Sequence, residues 1–172
     1  QDFLTGYKQG AAYIDPQTKV LVSFAGTFND PLKGKELTLA QYSQGADIVM
    51  NVASNTGNGI LEAAKDSKKY AIGVDINQDD IYPGFILTSM LKRVDVATYN
   101  MIKQVYEGNF KGGEIVRMDA SNGGVGLTDM ATMKTALKDK FPEDILAKIN
   151  ELTEKIKKGE IKVESYPGFK VE

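Results

Sequence analysis

Four short segments hold the residues best suited to chemistry: Gly26–Asn29 (GTFN), Ala53–Asn58 (ASNTGN), Asp75–Gln78 (DINQ) and Ser89–Lys92 (SMLK). Phe28 is a large ring in a polar turn. Such a ring can stack on a flat ligand, or it can plug the space beneath the next helix. Asp75 directly follows the apolar run YAIGV. A carboxylate there can accept both hydroxyl hydrogens of a vicinal diol, as on a ribose or another sugar, or it can cap a turn. Ser54–Gly59 (SNTGNG) offers bare amides at a helix start to an oxygen-rich ligand; the plainer reading is a tight turn capped by Asn55 or Thr56. The stretch lacks the GK[ST] of a P-loop, and Glu62 stands where the third Gly of GxGxxG would fall. The Lys92 ammonium can reach a ligand oxygen or ring nitrogen, or pair with Asp95 three residues on.

Together these groups describe a neutral, polar, ring-shaped ligand with hydroxyls, and no reaction. The chain has neither His nor Cys. That removes Ser-His-Asp and Cys-His nucleophile systems, a histidine base and the usual zinc ligands. No carboxylate pair is spaced for acid/base work and no nucleophile has an evident activator, so the expectation is a binder and not an enzyme, with no metal and no cofactor. A net charge of −2 and a pI near 5.3 argue against a nucleic-acid partner. Hydrophobic residues at 42% and charged residues at 26% are the balance of a globular chain. No run of 18 apolar residues occurs.

The elements that must position these segments alternate. Val20–Ala25, Asp47–Val52, Tyr70–Val74 and Phe85–Ser89 read as short buried strands, with Glu114–Met118 a further candidate. Asp30–Gln44, Thr56–Ser67, Lys92–Glu107 and Pro142–Lys158 read as helices, the first opened by Asp30-Pro31 and closed by Gly45. Asn122–Leu127 reads as a Gly-rich bend leading out, and Ile161–Val163 follows the last helix. Gln1–Gly10 has the spacing of a helix already under way, so an upstream part with any export signal is expected to have been removed. Alternating strands and helices predict an α/β fold, a mainly parallel sheet with helices on both faces. In such sheets ligands bind beyond the carboxyl ends of the strands, which is where all four segments fall. A boundary near Ser121–Thr128 divides residues 1–120, a ligand-binding lobe, from a tail of residues 121–172.

The runs GYKQGAAYIDP, VLVSFAGTFNDPLKGKELTLAQYSQGADIV, SNTGNG, YAIGVDINQ, ILTSMLKRVDVATYNMIKQVYEGNFKGG, GGVGL and KINELTEKIKKGEIKVE occur in this order. This pattern resembles the basic membrane protein family of bacterial lipoproteins, similar to purine nucleoside receptors. The resemblance implies a two-lobed, type I periplasmic-binding-protein fold, of which this chain is the second half. It implies that residues 1–120 form the C-terminal lobe without its first strand, and that residues 121–172 cross back to the absent N-terminal lobe. It implies nucleoside binding between two lobes, with Phe28 stacking on the base, Asp75 holding ribose hydroxyls, Lys92 touching the ligand and contacts near Asn55 and Gly57. It further implies an ABC importer permease as partner and a lipid anchor, outside this chain, on the extracytoplasmic face of the cell membrane. The family's Gly-Gly-Thr-Gly-like turn reads Ser54-Asn55-Thr56-Gly57 here, which puts a side chain into the pocket wall. With half a cleft, the piece calls for a partner fragment or a swapped assembly, or binds weakly or not at all alone. A ligand-sensing domain of the same fold, and a binder of a sugar or other small polar molecule, stay open as alternatives.

Overall fold

The computed structural model describes residues 1–168. Among them one sheet runs in the order β1 (Ile48–Met50), β2 (Tyr70–Asp75), β3 (Ile86–Lys92), β4 (Val125–Leu127). The first three strands are parallel, and β4 returns antiparallel to β3. Helices α1 (Asp2–Ile14), α2 (Pro31–Ser43), α3 (Gly57–Ser67), α4 (Val94–Tyr106), α5 (Ala131–Leu137) and α6 (Ile145–Lys157) surround it.

The helix α2 starts where its residues dictate. The Asp30 carboxylate accepts the Lys33 amide at 3.0 Å, and Pro31 supplies the first turn's fixed φ. It packs on α3 nearly backbone to backbone. A Cβ on Gly34 would lie 2.1 Å from the Thr56 carbonyl oxygen, and one on Gly59 would lie 1.8 Å from that of Pro31. Only glycine permits this approach.

Adjacent residues of a strand point to opposite faces, and both faces are covered. Ala71 and Ile86 join Tyr42, Val49, Ile60, Leu61, Ala63 and Ala64 in a core beneath α2 and α3. Their neighbours Tyr70 and Leu87 pack on the other face with Met130, Met133, Phe141, Ile145, Leu146 and Ile149. The tail following Ser121 therefore first lays α5 and the start of α6 on this same sheet. Its last stretch then lies against α1: Gln9 exchanges hydrogen bonds with the Glu164 backbone at 2.8 Å, and Asp2 accepts the Tyr166 amide at 2.6 Å. Residues 169–172 of the expected 121–172 segment lie outside the described residues.

The structure departs from the sequence reading in several places. Val20–Ala25 is extended but forms no strand, and Phe24 is 72% exposed. A strand exists only through its ladder. Here a cavity of about 480 Å³ lies between Thr18–Leu21 and Asp47–Val49, so β1 keeps an unpaired outer edge among the described residues. Glu114–Met118 is likewise no strand, with Ile115 and Val116 exposed. The supposed bend at Asn122–Leu127 ends in β4, which makes the sheet mixed. The sequence reading contains no helix at α5, because seven residues give periodicity little to act on. Helix α4 forms as expected, yet none of its residues is buried.

Candidate ligand-binding site

Because β1, β2 and β3 are parallel, their carboxyl ends open on one rim. The turn GTFN is not attached to a strand, and a different residue brings it there. Thr56, fully buried, donates its hydroxyl to the Thr27 carbonyl at 3.1 Å and accepts the Asp30 amide at 2.9 Å. Its own amide donates to the Phe28 carbonyl at 3.1 Å. These bonds fix the Phe28 backbone while its ring stays 71% exposed. The ring is no plug beneath α2. It lines a cleft of about 620 Å³ whose wall also includes Phe3 and Tyr7 of α1, Phe24, Val52 and Ala53. Burial, then the charge of Asp47, raises the Tyr7 pKa and keeps that hydroxyl protonated.

Asp75 closes β2 in the left-handed region at φ 69°. Asp tolerates this better than most residues, at a cost of about 1 kcal/mol. Its Oδ1 lies 3.0 Å from Lys92 Nζ, at the end of β3. The contact is Coulombic. Oδ1 is shielded from solvent, yet no aligned hydrogen bond reaches it. Lys92 does not pair with Asp95. Arg93 takes that carboxylate at 2.8 Å. Lys92 instead lies 5.6 Å from the Phe3 ring centroid, which joins the ion pair to the aromatic cleft.

Asn55 and Gly57 occupy other positions. Asn55 donates to Asn29 Oδ1 and accepts from Asn58, both at 2.7 Å, in an exposed row of amides beside Phe28. Gly57 is buried, and a Cβ there would meet Asn51 Oδ1 at 1.9 Å. Its lack of a side chain is thus explained by packing on Asn51. Phe28 lines the aromatic cleft, whereas Asp75 and Lys92 pair at the ends of β2 and β3 outside its lining and approach it only where Lys92 nears Phe3. Neither Asn55 nor Gly57 lines the cleft.

Sequence reasoning missed Phe3 and Tyr7, whose helical spacing looked merely structural, and the polar residues that hold the rim. Asn51, Gln78 and Ser89 are buried. Each sits in or beside an apolar strand, and a buried polar group requires a partner. That misfit between residue type and surroundings was the available signal. Among the described residues no cluster of three or more Asp, Glu, His or Cys is placed to hold a metal, and no helix is long and apolar enough to cross a membrane.

The family model for ABC transporter substrate-binding proteins of the PnrA-like Bmp type matches residues 1–166. The chain belongs to the Bmp family. It is 31% identical to the CD4+ T-cell-stimulating antigen of Listeria monocytogenes, over 96% of this chain and 49% of that protein. It is 34% identical to the ABC transporter nucleoside-binding protein BmpA of Lactococcus lactis, over 73% of this chain and 40% of that protein. An ABC transporter solute-binding protein of Aeropyrum pernix, solved by crystallography, superposes with a TM-score of 0.80 at 30% identity, covering 96% of this chain and 54% of that one. The expected α/β, solute-binding-protein-like fold is therefore established. The chain spans about half the length of the curated Bmp relatives it matches.

Proposed function

We propose that this Bmp-family chain is the ligand-binding lobe of a nucleoside receptor, for purine nucleosides in particular, that delivers its ligand to an ABC importer. The observation that carries this reading is Asp75: a half-exposed carboxylate at a strand end, paired at 3.0 Å with Lys92, which itself lies 5.6 Å from the Phe3 ring of a cleft walled by aromatic rings. A ribose diol donates to that carboxylate, while a base lies flat on Phe28. The Lys92 ammonium lies against one oxygen of that carboxylate, at 3.0 Å. The exposed ring and the mainly apolar wall favour a heterocycle over a bare sugar, whose faces offer less to stack.

A cleft open on one side binds weakly. We assign the missing wall to a second lobe from the rest of a longer polypeptide, closing on the ligand by hinge motion. A partner fragment or a swapped copy would serve the same purpose. Relatives named as lipoproteins support an anchored position on the outer face of the cell membrane. Binding, and no catalysis, is the assigned role.

The test is a thermal-shift panel of purine nucleosides, pyrimidine nucleosides, free bases and pentoses on the full-length protein. Ligand that binds only the folded state stabilises it by mass action. Purine nucleosides should raise the Tm most. Equal stabilisation by free pentose, or none by any nucleoside, would overturn the assignment.

A further inference from the structure

Behind the rim lies a buried polar network that ties three strand ends together. Gln78 Oε1 accepts the Val74 amide at 2.9 Å and the Asn51 side-chain amide at 3.4 Å. The Gln78 amide donates to Ser89 Oγ at 3.0 Å, and that hydroxyl donates to Asp79 Oδ1 at 2.6 Å. Asn51 Oδ1 accepts the Ala53 amide at 3.1 Å. Asn51, Asp79 and Ser89 are almost wholly buried, at 0%, 2% and 0% exposure.

Two features of the chain exist to make room for this network. A Cβ on Gly73 would stand 2.4 Å from Ser89 Oγ and 3.0 Å from Gln78 Oε1, and the Gly57 Cβ would collide with Asn51. Between β2 and β3 the register slips, from Ala71 opposite Ile86 to Gly73 opposite Ser89. The extra β3 residue reverses which side chains share a face with Gly73. Without it Thr88 would stand opposite Gly73, and the Ser89 hydroxyl would leave the turn.

The network closes around one short loop, Val74–Gln78, with Asp75 at its start in a left-handed conformation. We propose that Ser89 and Gln78 are positioning residues for ligand binding: they clamp this loop from both sides and hold Asp75 at the rim in its left-handed conformation, while Asp79 fixes the direction of the Ser89 hydroxyl. The proposal rests on Asp75 being the ligand-binding carboxylate. The hydrogen bonds that Gln78 and Ser89 accept from the Val74 and Gln78 amides bracket the loop that carries Asp75, so they act on the ligand through it.

A double-mutant cycle on the full-length protein tests this, with purine nucleoside affinity read by calorimetry and Tm read in parallel. Asp75→Ala should weaken binding by about 30-fold or more, as expected for a lost charge-assisted pair. Ser89→Ala should weaken it about tenfold in the wild-type background and not at all in the Asp75→Ala background, because a residue that acts only by positioning Asp75 has nothing to position once that carboxylate is gone. A merely structural Ser89 would lower Tm and leave the two affinity losses multiplicative, which would overturn the inference alone. If Asp75→Ala leaves affinity unchanged, the assignment of Asp75 falls and takes the inference with it. Should Ser89→Ala fail to fold, Gln78→Met removes the clamp from the other side at similar volume, with the same coupling expected; multiplicative losses there count equally against the proposal.

Discussion

Two regions of the molecule carry similar apolar patterns and meet different fates. Under α2 and α3, Leu61, Ala63, Ala64, Ala71 and Ile86 are fully buried, and even the glycines are in van der Waals contact. Along α1, residues 20–25 and α4, the pattern is as regular, but no residue of α1 or α4 is fully buried, and Phe24, Tyr99, Ile102 and Val105 are exposed. Periodicity specifies which side of a helix is apolar. It does not specify what covers it. The first region has its partners within the chain, and the second shows the same chemistry with only partial cover from the described residues.

The largest effect expected from this contrast is Leu61→Ala. It removes a fully buried side chain and should cost about 2–5 kcal/mol, seen as a Tm drop of roughly 5–20 °C in a chain of this size. A loss under about 1 kcal/mol would mean that the α3 core relaxes freely. One substitution made in both regions sharpens the point. Gly59→Ala forces a Cβ to 1.8 Å from the Pro31 carbonyl oxygen and should cost about 1–3 kcal/mol by overpacking. Gly10→Ala, inside α1 with nothing within 4 Å, should stabilise by up to about 1 kcal/mol through helix propensity. Equal signs in denaturant titrations would break the comparison.

Phe28 lies on the exposed side of this divide. Phe28→Ala should leave the Tm of the unliganded protein nearly unchanged, yet cost about 1–3 kcal/mol of nucleoside affinity by calorimetry, the range for a lost base–aromatic stack. A ring that mattered for stability and not for affinity would reverse the assignment.

The legibility of the sequence follows the same line. Helices α2 and α3 and strand β2 were readable almost to the residue, because Asp30-Pro31, the paired glycines and a continuous apolar run are local signals. Strand β3 was read as ending at Ser89 and extends to Lys92. The polar pair Thr88-Ser89 interrupts the apolar run before Met90 and Leu91, so the run reads as ending short of the ladder. Val20–Ala25 has a strand's composition and no ladder. The strand-end position of Asp75 was legible because it directly follows the continuous apolar run YAIGV. The clamp of Gln78, Ser89 and Asp79 was not, since it depends on a one-residue register slip that no local pattern encodes.

Tyr42 offers a smaller effect, separable by pH. Its hydroxyl donates to the Tyr70 carbonyl at 2.7 Å, and burial drives its pKa well above the ordinary tyrosine value. The unfolded chain ionises this group near pH 10, while the folded chain resists. Stability from this source is thus present below about pH 10 and falls as pH rises beyond it. Tyr42→Phe should cost about 1 kcal/mol at neutral pH through the lost hydrogen bond and flatten the alkaline decline. An unchanged alkaline slope in denaturant titrations would place that decline elsewhere, with Tyr7, also raised by burial, the next group to test.

The smallest effect is expected at Ile102, and it bears most directly on what the exposed region is for. The side chain is 63% exposed on α4, so Ile102→Ser in the 172-residue chain should change stability by no more than about 0.5 kcal/mol. Its neighbours Tyr99 and Val105 share the apolar face, and a continuous apolar face of this kind marks a contact surface. Measured in the full-length protein, the same substitution distinguishes two arrangements. A cost that stays near zero leaves α4 facing water there too. A cost of about 2 kcal/mol or more, the size of a buried aliphatic truncation, would show that the longer polypeptide, or a second copy, covers α4. Dependence of the Tm on protein concentration then separates the two, because only association between copies follows mass action.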